Sequence, residues 1–285
     1  QRASHGRCLP ARQRRRARLR HPAVSRERIT SRGYLLDMDG VLYRGRRAVP
    51  GAAAFIRRLY AAPTPYLCIT NHSCFAPEYL AAKLRRFGIP VPAERILTAG
   101  QATAAWLRAQ DARRVFAIGE PAFHTALADA GIESNAARPS HVVVSLDRRV
   151  DYERLAAAAR HILRGVPLVA TNPDPSYPTE RGPAPECGFF LAGLERMTGV
   201  RPLVIGKPGP ELFRMAAEKL GLPRRRLAMV GDRLDTDILG AKRAGLRAVL
   251  VLSGHSTRAM LKGARLQPDR VVRSVADLRD NSPGK

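Results

Sequence analysis

From Gly33 onward the sequence alternates short apolar runs with alanine-rich amphipathic stretches, and that alternation limits the fold to one broad class. Residues 34–38, 66–70, 115–119, 141–145, 168–171, 203–205, 227–230 and 248–252 read as short, mostly apolar strands, the first leading into Asp39-Gly40. Between them, residues 52–60, 77–87, 121–130, 151–163, 186–198, 210–220 and 235–244 carry apolar residues at helical spacing, and residues 95–109 read as helical or mixed. Gly88, Gly131, Gly165, Gly221 and Gly245 stand where these helices should stop. Strands without polar alternation, separated by single helices, predict βαβ units and a parallel sheet covered on both faces. One stretch breaks the pattern. Prolines at 173, 175, 178, 183 and 185 forbid regular helix over residues 172–185 and predict a shaped loop.

In an open parallel sheet the ligand site lies beyond the carboxyl ends of the strands. Asp37 and Asp39 follow the first predicted strand, and Thr70 and Asn71 end the second. Gly206-Lys207-Pro208 follows residues 203–205, and Gly231-Asp232, with Asp237 beyond it, follows residues 227–230. An Asp-x-Asp turn alone is a common solvated feature, and a lone Lys-Pro or Gly-Asp says less. Carboxylates, a hydroxyl and an ammonium at four strand ends, in this order, specify a site.

These four segments resemble the motifs of the haloacid dehalogenase-like superfamily, whose members are mostly phosphatases. Asp37-Met38-Asp39-Gly40-Val41-Leu42-Tyr43 is similar to its first motif and Thr70-Asn71 to its second. Lys207 in Ile205-Gly206-Lys207-Pro208 is similar to the third, and Gly231-Asp232-Arg233-Leu234-Asp235-Thr236-Asp237 to the fourth. Where the family often has two asparagines after the threonine, this chain has Asn71-His72-Ser73. Thr70 and Lys207 are 137 residues apart, far more than one βα unit needs, so the second and third motifs bracket an insertion. The resemblance narrows to the subclass with a large α/β cap, similar to p-nitrophenylphosphatases, phosphoglycolate phosphatase and pyridoxal phosphate phosphatase. It implies a Rossmann-like parallel-sheet core at residues 34–102 and 201–285 and an inserted α/β cap domain at residues 103–200.

The resemblance further implies a catalytic pair. Asp37 attacks phosphorus to give an aspartyl-phosphate, and Asp39 protonates the leaving alcohol and then activates water. A phosphate monoester is a dianion, so an attacking carboxylate needs compensating positive charge. Mg²⁺ suits a few hard oxygen ligands, which by resemblance are the Asp37 and Asp232 carboxylates and the Asp39 carbonyl, with Asp237 in the outer shell. Thr70, Asn71 and Lys207 would bind the phosphate, and Asn172 and Asp174, in the proline-rich stretch, are the cap candidates for substrate contact. The expected substrate is a small phosphorylated metabolite: a sugar, glycerol or polyol phosphate, phosphoglycolate, a nucleotide or pyridoxal phosphate. By resemblance, the chain is also expected to pair as a homodimer through the cap.

Composition enters at the N-terminus. Residues 1–33 hold 11 arginines and one acidic residue, Glu27, and so contribute +10 of the formal +25. Aromatic residues do not interleave these charges, so the stretch reads as a basic, disordered extension, with nucleic acid not an expected partner. Four scattered cysteines (Cys8, Cys68, Cys74, Cys187) make neither a disulfide framework nor a zinc ribbon, which suits the cytoplasm. No apolar run approaches the ~20 residues of a membrane span. Two other readings stand beside the phosphatase: an inactive scaffold serving as a basic nucleic-acid-associated protein, and a phosphotransferase sharing the first half of the chemistry.

Overall fold

The computed structural model describes residues 31–278, so residues 1–30, most of the basic extension, lie outside the described residues. The chain forms β1 (Gly33–Leu36), a small ribbon of β2 (Tyr43–Arg44) and β3 (Arg47–Ala48), α1 (Ala52–Ala61), β4 (Tyr66–Thr70), α2 (Pro77–Arg86), β5 (Ile96–Thr98) and α3 (Ala99–Ala109). It continues through β6 (Arg114–Ile118), α4 (Pro121–Asp129), β7 (Glu133–Ser134), β8 (His141–Val144), α5 (Tyr152–Leu163) and β9 (Leu168–Ala170). Next come β10 (Ser176–Thr179), β11 (Gly182–Pro185), α6 (Cys187–Thr198) and β12 (Leu203–Val204). The remainder is α7 (Pro210–Leu220), β13 (Leu227–Gly231), α8 (Leu239–Arg243), β14 (Arg247–Val251), α9 (Arg258–Gly263) and β15 (Arg270–Val272).

Two parallel sheets result, as the expected α/β class requires. The core sheet runs β15-β14-β13-β1-β4-β5 and the second β12-β9-β8-β6-β7, every pairing in both being parallel. Core strands bury alternate residues on opposite sides. Tyr34 and Leu36 pack with Phe55, Ile56 and Leu59 of α1, while Leu35 faces the other way toward Phe213 and Ala216 of α7. This two-sided burial is why the strands carry no polar alternation. The cluster on the α7 side does not stop at the core sheet. It continues through Leu107 of α3 and Phe123 of α4 to Val115, Val143 and Val169 of the second sheet.

The structure departs from the sequence expectations in four places. Residues 203–205, placed on the core side from sequence, contribute β12 to the second sheet, paired with β9, so the chain recrosses at Gly206 and Lys207. The proline-rich stretch contains a ribbon, β10 against β11, in which Pro178 faces Pro183 and Ser176 faces Pro185. Only alternate pairs of an antiparallel ladder exchange hydrogen bonds. All three prolines fall on one alternate set, so their missing N–H groups cost the ribbon nothing. The helix expected over residues 235–244 opens as a widened π-type turn at Leu234–Ile238, for a reason that belongs to the site. Residues 95–109 divide into β5 and α3, capped where Thr98 Oγ1 accepts from Gln101 N at 3.1 Å and Gln101 Oε1 from Thr98 N at 3.4 Å. Among the described residues no helix is long and apolar enough to cross a membrane.

Candidate active site

The core sheet's strand order reverses around β1, and the polar residues converge beyond the carboxyl ends of β1, β4 and β13. Asp37 leaves β1 with its N–H still bonded to Val230 O of β13 at 2.9 Å, which fixes the start of its side chain against that neighbour. Gly40, three residues on, has φ 74°. A Cβ there would stand 2.3 Å from Asp232 Oδ2, so the turn after Asp37 needs glycine both for its backbone and for the carboxylate beside it.

Lys207 is the centre of the arrangement. Its Nζ lies 2.5 Å from Asp37 Oδ1 and 2.7 Å from Asp237 Oδ1, with all three side chains nearly out of solvent. The other Asp237 oxygen accepts from the backbone N–H groups of Asp232 and Arg233, each at 3.0 Å. That return bond explains the π-type turn: the chain widens so that the Asp237 carboxylate can fold back over the end of β13. Gly231 leaves room for it, since a Cβ there would meet Asp237 Cβ at 2.2 Å. Asp232 is held from behind by the segment after β14, its Oδ2 accepting from His255 N at 2.6 Å. Ser253 Oγ from that segment donates to Gly40 O at 2.6 Å. Residues 253–255 also follow a predicted strand, so the strand-end rule applies to them as it does to Asp232.

Asp37, Asp232 and Asp237 each offer a carboxylate oxygen within 4.8 Å of the others, and all three residues are buried. Three ionised carboxylates against the single Lys207 ammonium leave a formal charge of −2, a costly excess in a site with little water. The electrostatics record that cost. Burial, reinforced by Asp237, pushes the Asp232 carboxyl up to about 7. Burial also raises Asp37 well above the carboxylate range despite Lys207 beside it, with Asp237 and Asp232 adding to the rise. Burial works against the Lys207 charge, but Asp237 and Asp37 outweigh it and hold the ammonium protonated. A buried, all-oxygen cluster lacking two positive charges fits a hard divalent cation.

Asp39 stands outside this cluster, partly buried, where burial raises its carboxyl and Lys83 opposes the rise. Lys83, unremarked in the sequence, sits 4.0 Å above the Tyr43 ring. Thr70, buried at the end of β4, accepts from His72 N at 3.2 Å. Burial, then Lys83 and Lys207, bring the His72 imidazole down to about 4, so it is neutral at ordinary pH.

Asn71 does more than its backbone suggests. Its Oδ1 accepts from Lys207 N at 2.8 Å, while Nδ2 donates to Lys207 O at 2.9 Å and to Asp174 Oδ2 at 2.8 Å. Asn172 and Asp174, expected to contact substrate, are both engaged within the protein. Asn172 is 1% exposed and donates to Asp174 Oδ2 at 3.0 Å and to Glu186 Oε1 at 3.3 Å. Asp174 Oδ1 lies 3.7 Å from Arg233 Nη2. Of the nine sequence candidates, Asp37, Lys207, Asp232 and Asp237 form the buried charge cluster, Asn71 binds the Lys207 backbone, and Asn172 and Asp174 support that arrangement. Thr70 and Asp39 flank it.

The chain is similar to known proteins over most of its length. Residues 34–133 match the family model of the haloacid dehalogenase-like hydrolases, and residues 204–278 match a second described as HAD-hydrolase-like. A dihydroxyacetone phosphatase of Corynebacterium glutamicum is 38% identical over 248 residues, 87% of this chain and 90% of that protein. The structure of NagD from E. coli K-12 superposes with a TM-score of 0.84 at 33% identity, covering 88% of this chain and 99% of that one. A glycerol phosphate phosphatase of Mycobacterium tuberculosis, solved in complex with magnesium, gives 0.82 at 32% identity over 88% of this chain and 77% of that one.

Proposed function

Because the chain belongs to the haloacid dehalogenase-like hydrolases, of the type represented by NagD and the p-nitrophenylphosphatases, we propose that it is a Mg²⁺-dependent phosphatase that takes the phosphoryl group on Asp37. The enzyme is a phosphoric monoester hydrolase acting on small phosphorylated metabolites. The similar dihydroxyacetone and glycerol phosphate phosphatases favour a three-carbon sugar or glycerol phosphate among the candidate substrates. The observation that carries the reading is the buried Asp37–Lys207–Asp237 array with Asp232 beside it.

The reading gives each residue a part compatible with its position and charge. The Asp37 carboxylate attacks phosphorus in line, the P–O bond to the alcohol breaks, and Asp37 carries the phosphoryl group as an acyl phosphate. Lys207, a compact ammonium already against Asp37, lowers the repulsion between that carboxylate and the phosphate dianion. Thr70 Oγ1 and the Asn71 N–H donate to the phosphoryl oxygens. Asp39, its carboxyl raised by burial, gives its proton to the departing alkoxide and later takes one from the water that cleaves the acyl phosphate. The Asp37 and Asp232 carboxylates and the Asp39 carbonyl, with Asp237 behind them, would hold Mg²⁺, which would supply positive charge against the phosphoryl oxygens.

Two measurements test the metal. Hydrolysis of p-nitrophenyl phosphate and of glycerol 3-phosphate is expected to vanish in EDTA and to return with Mg²⁺; turnover that survives EDTA overturns the assignment. Stability supplies a readout independent of turnover. Without metal, folded Asp232 holds a proton up to about 7 against an ordinary value of 3.8, so its contribution to stability is lost as pH rises through that window. His72, brought down to about 4, acts with the opposite sign, but it cancels in the difference between metal-loaded and metal-free protein. A divalent cation competes with protons at the carboxylates. The rise in Tm produced by Mg²⁺ is therefore expected to be larger at pH 8 than at pH 5, and an equal rise at both would contradict the site.

A further inference from the structure

The phosphatase reading leaves one cap residue unexplained. Asp174 lies just past β9, in the insertion, yet its carboxylate reaches two loops of the core. Oδ2 accepts from Asn71 Nδ2 at 2.8 Å and from Asn172 Nδ2 at 3.0 Å, and Oδ1 lies 3.7 Å from Arg233 Nη2. Arg233 is otherwise committed to Asp235, at 3.1 Å through Nε and 2.6 Å through Nη2. Its own N–H donates to Asp237 at 3.0 Å, the carboxylate on the far side of Lys207. Asp174 thus touches both the loop after β4 and the loop after β13.

The contact with Asn71 carries the most information. A carboxamide bonded to both the N–H and the C=O of one residue acts as a short strand partner, and here that residue is Lys207. The Asn71 amide has two hydrogens. One goes to Lys207 O and the other to Asp174, whose ionised carboxylate can only accept. Turning the amide over would aim its oxygen at both the Asp174 carboxylate and the Lys207 carbonyl. Asp174 therefore fixes the orientation in which Asn71 grips the Lys207 backbone. Gly206 makes that grip tight, since a Cβ there would stand 2.3 Å from Thr171 O and 2.8 Å from Asn71 Oδ1. Asn172 is itself fixed, accepting from Thr171 Oγ1 at 2.9 Å, so the whole turn that presents Asp174 is ordered by buried polar contacts.

We propose that Asp174 is a positioning residue that registers the inserted unit against the core by holding, through Asn71, the backbone of Lys207, and so sets the ammonium between Asp37 and Asp237. This rests on the phosphatase reading and assigns to Asp174 a role other than substrate contact. A defect in Lys207 placement falls on the phosphoryl group, which all substrates share. A lost substrate contact falls on the leaving group, which differs among them.

The test uses Asp174→Ala, Asn71→Ala and the double variant, assayed with Mg²⁺ on p-nitrophenyl phosphate and on glycerol 3-phosphate. Each single variant is expected to lower kcat by roughly 10- to 100-fold, the usual scale for residues that orient a catalytic group from behind. The loss should be similar for both substrates and larger than the change in KM. The double variant should be little worse than either single one, as for residues acting in one chain of contacts. Asp174→Asn, of the same size, stands in if the alanine variant does not fold, with a smaller loss in the same direction. Hydrogen exchange at the Lys207 N–H, expected to quicken in Asp174→Ala, gives a readout that survives even if wild type hydrolyses neither substrate. A loss confined to glycerol 3-phosphate, fully multiplicative single effects, or unchanged exchange at Lys207 overturns the proposal.

Discussion

An Asp37→Asn variant is expected to lose turnover of p-nitrophenyl phosphate by about 10⁴-fold or more while remaining folded, as for the removal of a covalent nucleophile in other enzymes. A carboxamide has nearly the shape of a carboxylate, and its oxygen can still accept from Lys207, so the packing around residue 37 is kept. It has no anionic oxygen with which to form an acyl phosphate. The substitution also removes one of three buried carboxylates that share a single ammonium, and so relieves part of the excess charge at the end of β1. The metal-free variant is therefore expected to melt no lower than metal-free wild type at pH 8. Thermal unfolding in EDTA beside a turnover assay checks both halves, and activity within tenfold of wild type would remove Asp37 from the nucleophile's place.

Lys207→Met should cost both stability and activity. Methionine fills much of the lysine's volume but leaves Asp37 and Asp237 facing one another without the cation between them, beside Asp232. Breaking a buried ion pair by removing one partner typically costs about 3–5 kcal/mol, because the remaining charge has neither solvent nor counter-ion. Here two carboxylates are stranded by one substitution, which argues for the upper part of that range in metal-free protein at pH 8. Part of the loss should be recovered at pH 5, where raised carboxyls take up protons, and part by Mg²⁺. Urea unfolding under the three conditions measures this, with turnover expected to fall by at least about 10³-fold, on the scale of lost electrostatic stabilisation of a transition state. A variant within 1 kcal/mol of wild type in EDTA at pH 8 would mean that Lys207 does not neutralise the pair, whatever its distance from it.

The parts of this architecture legible in the sequence are those whose signal is local. Core strands such as β1, β4 and β13 are apolar on both faces because helices cover both faces, and a run such as Tyr34-Leu35-Leu36 announces that directly. The four site segments were legible for a related reason: strand ends project to one edge. Asp232 stands at such an end, and Ser253-Gly254-His255, just past β14, carries the same cue. Other features depend on partners distant in the chain. Two residues of β12 carry too little pattern to show which sheet they join. The alternate spacing of Pro178, Pro183 and Pro185 becomes compatible with a ribbon only once the register is known. Asn172 and Asp174 looked free to meet a substrate because Glu186, Asn71 and Arg233, which occupy them, are 12 to 103 residues away from Asp174.

The apolar cluster that passes from α7 through α3 and α4 into the second sheet has a consequence for how the molecule comes apart. Independently stable domains are separated by linkers that few contacts cross, and each keeps a core of its own. Here Leu35 and Met229 on the core sheet's underside and Phe213 of α7 belong to the same cluster as Val115, Val143 and Val169 of the insertion. Melting either unit would expose this shared cluster to water while the other keeps a second cluster on its far face, so partial unfolding at this junction gains chain entropy while forfeiting burial on both sides. The insertion is continuous with its host where apolar residues meet and joined to it by hydrogen bonds where Asp174 meets Asn71. Cooperativity in this chain is thus carried along the shared apolar seam.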